Sequence, residues 1–228
     1  TAEPLIVSVS GLRGIVGRTL TPAVAVRYVA AFVQTLPPGP VVIGRDGRQS
    51  GPMLAAAIAD FLVAAGRDVI DLGAAATPTV GVAVRDRKAA GGIQISASHN
   101  PARYNGLKLF SREGRVIPAD AGRDVLARYE ALPAEVPPAG PATRGRVQTF
   151  DAAPAHVALV AATVDVAAIR RHRPRVWLDA GHGAGSVVAR PLFEHLGCDV
   201  VIEGATPDGL FEHEPEPTAE NLAAWLPR

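Results

Sequence analysis

Ser98 lies in the hexapeptide Ser96-Ala97-Ser98-His99-Asn100-Pro101, at the end of the apolar run Gly91-Gly92-Ile93-Gln94-Ile95. Lys108 follows in a second apolar run, Leu107-Lys108-Leu109-Phe110. A hydroxyl that can carry a transferable group, with a titratable group nearby to move a proton, is the minimum equipment for covalent group transfer. Composition singles out the lysine. Of 23 basic residues only Lys88 and Lys108 are lysines, and arginine cannot give up its proton in a protein whereas lysine can. Ser-His-Asn-Pro is also good turn chemistry, because Asn and Ser bond nearby backbone and Pro fixes φ. Adjacent Ser98 and His99 do not make a dyad, since neighbours on an extended strand point opposite ways. No G-x-S-x-G elbow occurs, which argues against a serine hydrolase.

The elements that must position this pair alternate between strand and helix. Leu5–Val9 reads as a short strand, and Thr21-Pro22 supplies an N-cap and a first-turn proline for a helix to about Thr35. Val41–Gly44 reads as a buried strand, followed by a helix that Ser50 caps and Gly66 ends. Asp68–Gly73 and Gly92–Ser98 are strands flanking a helix over Pro78–Ala89. A helix from about Pro118 to Ala131 follows Leu107–Phe110. The stretch 132–142 contains Pro133, Pro137, Pro138 and Pro141 with Gly140, so it sustains neither a helix nor a central strand and reads as a linker. Beyond it come helices around Ala153–Val164 and from Asp165, the strand Arg175–Ala180, the helix Ser186–Leu196 and the strand Asp199–Glu203.

An internal echo joins the two parts. Val41-Val42-Ile43-Gly44, a Gly-rich turn, a helix and Gly66-Arg67-Asp68-Val69-Ile70 parallel Val176-Trp177-Leu178-Asp179, a Gly-rich turn, a helix and Gly197-Cys198-Asp199-Val200-Val201. The expected class is α/β, with two related domains, each a mixed, largely parallel sheet packed between helices. The expected boundaries are residues 1–135 and 148–228.

Other groups carry less chemistry. Gly181-His182-Gly183-Ala184-Gly185-Ser186 stands where a phosphate loop would, between strand and helix, but it lacks a P-loop lysine and the dinucleotide spacing, so a structural tight turn is expected. Glu212-His213-Glu214-Pro215-Glu216-Pro217 reads as a solvated loop. The run Arg170-Arg171-His172-Arg173-Pro174-Arg175 reads as a solvated surface. Arg45, Asp46, Arg48 and Ser50 suit either a phosphate contact or a network bracing the serine loop, and bracing is the better reading. Arg13, flanked by Leu12 and Gly14, has a fork that can hold two phosphate oxygens, with glycines that let backbone approach. The 228 residues are 48% hydrophobic with a formal charge of +1, which gives no electrostatic case for nucleic acid or an anionic membrane. Cys198, the one cysteine, excludes an internal disulfide and reads as a small buried residue. The expected setting is cytoplasmic, with no signal peptide and no membrane span.

The serine loop, with Tyr104-Asn105-Gly106-Leu107-Lys108 behind it, resembles the phosphoserine loop of the α-D-phosphohexomutases, the family of phosphoglucomutase, phosphomannomutase and phosphoglucosamine mutase. Three further segments are similar and in the same order: Ser10-Gly11-Leu12-Arg13-Gly14-Ile15-Val16-Gly17, Gly44-Arg45-Asp46-Gly47-Arg48-Gln49-Ser50-Gly51, and Leu178-Asp179-Ala180-Gly181-His182-Gly183-Ala184-Gly185. In the last, His182 stands where asparagine is frequent. The resemblance implies phosphoryl transfer on a hexose phosphate through a hexose bisphosphate. Ser98 would carry the phosphoryl group, Lys108 move the proton, Arg13 clamp the phosphate, and His99 orient the loop or touch the transferring group. It also implies Mg2+, of whose contacts only Ser98 can be named here. Members usually have four domains and about twice this length, the first three sharing one α/β topology. Their Asp-Gly-Asp-Gly-Asp-Arg metal loop would follow shortly after Thr218–Leu222, so the chain looks like the front half of such an enzyme and is expected to be inactive alone. A non-catalytic sugar-phosphate-binding fragment is the alternative, and a stand-alone serine phosphatase or phosphotransferase a third reading.

Overall fold

The computed structural model describes residues 4–137 and 143–223; Pro138, Gly140 and Pro141 of the expected linker lie outside them. Seven strands form one sheet: β1 (Ile6–Ser8), β2 (Gly11–Ile15), β3 (Val41–Arg45), β4 (Val69–Ala74), β5 (Gly91–Ile95), β6 (Tyr104–Phe110) and β7 (Val147–Thr149). Their order is β1-β2-β6-β5-β3-β4-β7. The β3–β4, β3–β5 and β4–β7 pairs are parallel, and β5–β6, β6–β2 and β2–β1 are antiparallel. Val41-Val42-Ile43 and Ile93–Ile95 are buried through both faces, as central parallel strands must be when helices cover them on either side.

Helices α1 (Pro22–Val33), α2 (Gly51–Ala64) and α4 (Ala119–Ala131) bury one face of the sheet around Phe32, Leu54, Ile58 and Ile95. Helix α3 (Thr77–Asp86) covers the other with Val80 and Val84. Thr21 caps α1 as its side chain predicts, accepting from the Val24 N–H at 3.3 Å. Ser50 does not cap α2: its backbone is already helical, and its Oγ accepts from Asn105 Nδ2 at 2.9 Å. β2 has no counterpart in the strand pattern of the sequence. It forms because Gly106 admits it: a Cβ there would stand 2.5 Å from the Leu12 carbonyl oxygen.

The chain leaves β3 through α2 to β4 on one side, then crosses through α3 to β5 on the other. Between β3 and β5 the strand order therefore reverses, and in open α/β sheets ligands bind outside the carboxyl ends at such a point. The 45–50 turn and the Ser98 loop both start there.

The second part is built from α5 (Ala153–Ala161), α6 (Val166–His172), β8 (Arg175–Asp179), α7 (Gly185–His195), β9 (Asp199–Glu203) and α8 (Ala219–Leu222). β8 and β9 pair in parallel from Arg175↔Asp199 to Asp179↔Glu203, so β8–α7–β9 repeats β3–α2–β4 and the internal echo is structural. The fold is two related α/β units with a mixed, largely parallel sheet; among the described residues the second sheet has two strands. Helix α5 joins the units, packing Val157 on Val188 of α7 and meeting α3, where His156 Nδ1 lies 2.8 Å from Thr79 Oγ1. β7, drawn from the region just past the proline-rich stretch, belongs to the first sheet.

Candidate active site

β5 ends at Ile95, and the next residues turn sharply. Ser98 adopts φ +56°, a left-handed conformation that non-glycine residues rarely hold without outside support. Three local bonds supply part of that support. Ser96 Oγ accepts from the Ser98 N–H at 3.0 Å, and Asn100 donates to the Ala97 carbonyl through both Nδ2 at 2.7 Å and its backbone N–H at 3.1 Å. Ser96 is thereby buried and occupied, whereas Ser98 and His99 are exposed. The turn also reverses one expectation. Because Ser98 is not extended, its Oγ and His99 Nδ1 come within 3.4 Å, a long contact but a facing one.

Ser98, His99, Arg13 and Lys108 border a single cleft of about 330 Å³, which Ser8 and Ser10 also line. Lys108 stands across from Gln94 in the β5–β6 ladder, and Arg13 across from Gly106 in β2–β6. All four residues expected from the sequence are thus brought together. The Nε of Arg13 is buried and has no partner among the described residues. A buried donor left without an acceptor costs about 1–3 kcal/mol, so the cleft suits an anion that supplies one. Ser98 also lies on the rim of a larger cleft of about 830 Å³ between the two units, which Gln94, Thr77, Asp179 and His213 line.

Arg48 braces the loop from below. Its side chain is 2% exposed, and its guanidinium bonds Asp46 and four carbonyls of the serine loop. Burial pulls its pKa down, and the charge and hydrogen bond of Asp46 work against that shift. Asp46 itself is tied to the sheet through its N–H, which donates to the Ile95 carbonyl at 2.9 Å.

The glycine turn after β8 is a tight one, with Gly181 and His182 both at positive φ. The segment around His213 is more than a solvated loop. His213 Nε2 lies 2.7 Å from Asp179 Oδ2, and His182 faces Asp208 Oδ1 at 2.8 Å and Glu212 Oε1 at 3.4 Å. Burial opposes charge on both rings, but the hydrogen bond to Glu212 and the charge of Asp208 hold the pKa of His182 above its ordinary value. The Glu214 carbonyl and Asp179 do the same for His213. A raised folded pKa stabilises fully below the unfolded value and is lost as pH rises through the folded one. The urea midpoint, followed by tryptophan fluorescence, should therefore fall between about pH 6 and about pH 9, with a smaller fall in His182→Gln. A midpoint that rises over that interval would contradict the pairing.

Among the described residues no group of three or more His, Cys, Asp or Glu side chains is placed to hold a metal ion. Ser98 alone does not make a Mg2+ site. Cys198 is half-buried, not fully buried. No single helix among the described residues is long and apolar enough to cross a membrane.

Comparison with known proteins gives this geometry a lineage. Residues 5–135 match the family model for phosphoglucomutase/phosphomannomutase alpha/beta/alpha domain I, and residues 154–226 match that for domain II. The chain belongs to the phosphoglucomutase/phosphomannomutase family. It is 36% identical over 222 residues to a phosphoglucomutase/phosphomannomutase of Thermococcus kodakarensis, covering 95% of this chain and 48% of that one. It is 40% identical over 205 residues to the phosphoglucosamine mutase of Synechococcus sp. RCC307, covering 87% and 42%. The crystal structure of a family protein from Burkholderia thailandensis superposes with a TM-score of 0.78 at 32% identity, over 96% of this chain and 48% of that one. The chain spans about half the length of the curated relatives it matches. Among phosphohexomutases the relatives span glucose, mannose and glucosamine names. Within this chain, the bond from the Ser98 N–H to Ser96 Oγ and the histidine–carboxylate pairs are not legible in the sequence.

Proposed function

We propose that this chain carries the phosphoryl-bearing serine of a phosphohexomutase, which moves phosphate between two hydroxyls of one hexose through a hexose bisphosphate. In the first half-reaction the P–Oγ bond of phosphorylated Ser98 breaks as a bond forms between phosphorus and the free hydroxyl of the hexose phosphate. Lys108 takes the hydroxyl proton and hands it to the departing Oγ of Ser98, so that neither oxygen is left as an alkoxide. The bisphosphate then turns in the site and its other phosphate returns to Ser98 Oγ, whose hydroxyl proton passes through Lys108 to the oxygen released. Arg13 offers its unpartnered Nε to the phosphoryl oxygens, and His99 holds the face of Oγ. Transfers of this kind depend on positioning and on charge neutralisation.

The observation that carries the reading is the convergence of an exposed, conformationally constrained Ser98 with Arg13, His99 and Lys108 on one cleft. Peptide mapping after incubation with glucose 1,6-bisphosphate tests it. Phosphate on Ser98 is the expected result, and phosphate on Ser96 or Ser50 in its place would overturn it. A sugar phosphate that binds with no phosphoserine formed would point instead to a binding fragment.

The same reading divides the chain into residues 1–135 and a second domain within 148–228, joined near 132–148. The two family matches, ending at 135 and restarting at 154, support it. Gly145 N–H donates to the Val63 carbonyl, Arg146 N–H to Asp68 Oδ1, and β7 pairs with β4, so residues 145–149 are held against the first sheet. Limited proteolysis should accordingly cut first between 132 and 144. First cuts within Val41–Ser98 would sink the division.

A further inference from the structure

We propose that Arg48 is the positioning residue for Ser98, and that Gly209 and Phe211 of the second unit hold Arg48 in place. The proposal rests on the reading of Ser98 above and names what sets its geometry.

Arginine presents five N–H donors in a fixed fork. Here every one has an acceptor. Nε donates to Asp46 Oδ2 at 3.1 Å, Nη1 to the carbonyls of Pro101 at 2.8 Å and Tyr104 at 3.1 Å, and Nη2 to those of Ser98 at 2.9 Å and Asn100 at 2.6 Å. The serine loop leaves the sheet and returns to it, turning these four carbonyls toward one point, and a single planar cation supplies all four. One of the carbonyls belongs to Ser98, so the clamp acts on the residue that holds the left-handed φ. Lysine, with three donors on a flexible stem, cannot reproduce it.

The outer side of Arg48 is closed by the loop after β9. The Phe211 ring centroid lies 5.2 Å from the guanidinium carbon. Backbone meets backbone beside it. A Cβ on Gly209 would stand 2.7 Å from Arg48 Cα and from the Gly47 oxygen, while one on Gly47 would stand 2.5 Å from the His182 oxygen. Gly209 also sits at φ +68° and donates its N–H to the His182 carbonyl at 3.1 Å. Two facing glycines let the segments touch so closely that the second unit forms one wall of the Arg48 site. Loop 204–212 is fixed in turn by His182, whose ring faces Asp208 and Glu212. The connection therefore runs from β8–β9 through His182 and Phe211 to Arg48, and from there to Ser98.

Hydrogen–deuterium exchange on the whole chain tests this without requiring phosphoryl transfer, so its failure is separate from failure of the functional reading. In Arg48→Lys, amides of 96–104 should exchange about tenfold faster or more while those of β3 and α1 keep wild-type protection. Phe211→Ala should accelerate the same segment about threefold to tenfold, and Phe211→Tyr, which keeps the ring, should retain wild-type exchange. Wild-type exchange at 96–104 in Phe211→Ala would overturn the proposal. So would acceleration spread evenly over β3, β5 and β6 in Arg48→Lys, which would make Arg48 an ordinary core residue, or loss of protection in Phe211→Tyr equal to that in Phe211→Ala.

Discussion

Ser98→Ala should abolish the phosphate adduct and leave the fold as stable as before. Ser98 is exposed and its Oγ makes one contact, 3.4 Å to His99 Nδ1, so the hydroxyl contributes little to folding. Substitutions of that kind usually stay within about 0.5 kcal/mol. The left-handed φ is no worse for alanine than for serine, since both carry a Cβ. The consequence for chemistry is total, because no other hydroxyl in the loop is free to replace it. Ser96 Oγ is buried against the Ser98 N–H, and Ser50 Oγ accepts from Asn105. Ser96→Ala is the informative partner. It should keep phosphate on Ser98 yet lose about 1 kcal/mol of stability, because the Ser98 N–H loses its acceptor. Intact mass and peptide mapping after incubation with glucose 1,6-bisphosphate read both variants. An adduct that survives Ser98→Ala would move the carrier elsewhere, and one lost in Ser96→Ala with Ser98 intact would make Ser96 the carrier.

Much of this arrangement is legible in the sequence, and the parts that are not share a cause. Periodicity places β3, α2, β4 and the α7–β9 pair because each element buries its own pattern of side chains. Composition narrows the lysines to two and the motif behind the serine loop selects Lys108, as motifs mark Ser98 and Arg13. β2 escapes because Gly-Leu-Arg-Gly-Ile carries too few side chains to alternate; what makes it a strand is Gly106 on another strand. Ser50 stands at a helix start but is taken by Asn105, a tertiary contact that overrides a local preference. Adjacent Ser98 and His99 come to face each other only because the φ at Ser98 departs from the extended value that the apolar run before it suggests. The histidine–carboxylate pairs need His213 brought back over 34 residues to Asp179 and Asp208 over 26 to His182. In each case the missing information is a long-range contact, while the information that was present is local.

Lys108→Arg should cut the rate of phosphoryl transfer by about 10²–10⁴-fold, the usual share of a positioned proton carrier, while leaving stability almost unchanged. Charge is conserved, and Lys108 sits half-exposed on β6 at a cleft, where a larger head has room. What is lost is the ability to exist as a neutral amine: a guanidinium holds its proton in both half-reactions. A phosphoserine brings about −1.5 to −2 charges, and arginine neutralises that as well as lysine does. If the role of Lys108 were electrostatic, the substitution would be nearly silent or mildly favourable. The two roles therefore predict opposite results from one variant. The measurement is the single-turnover rate at which Ser98 gains phosphate from glucose 1,6-bisphosphate, read by quenched-flow mass spectrometry, with Lys108→Met as a control that removes both charge and proton carrier. A wild-type rate in Lys108→Arg beside a lost one in Lys108→Met would assign the residue to charge alone. Loss in both, with equal binding of the bisphosphate, is the expected outcome, and it would account for a lysine at this cleft in a chain that has only one other, Lys88.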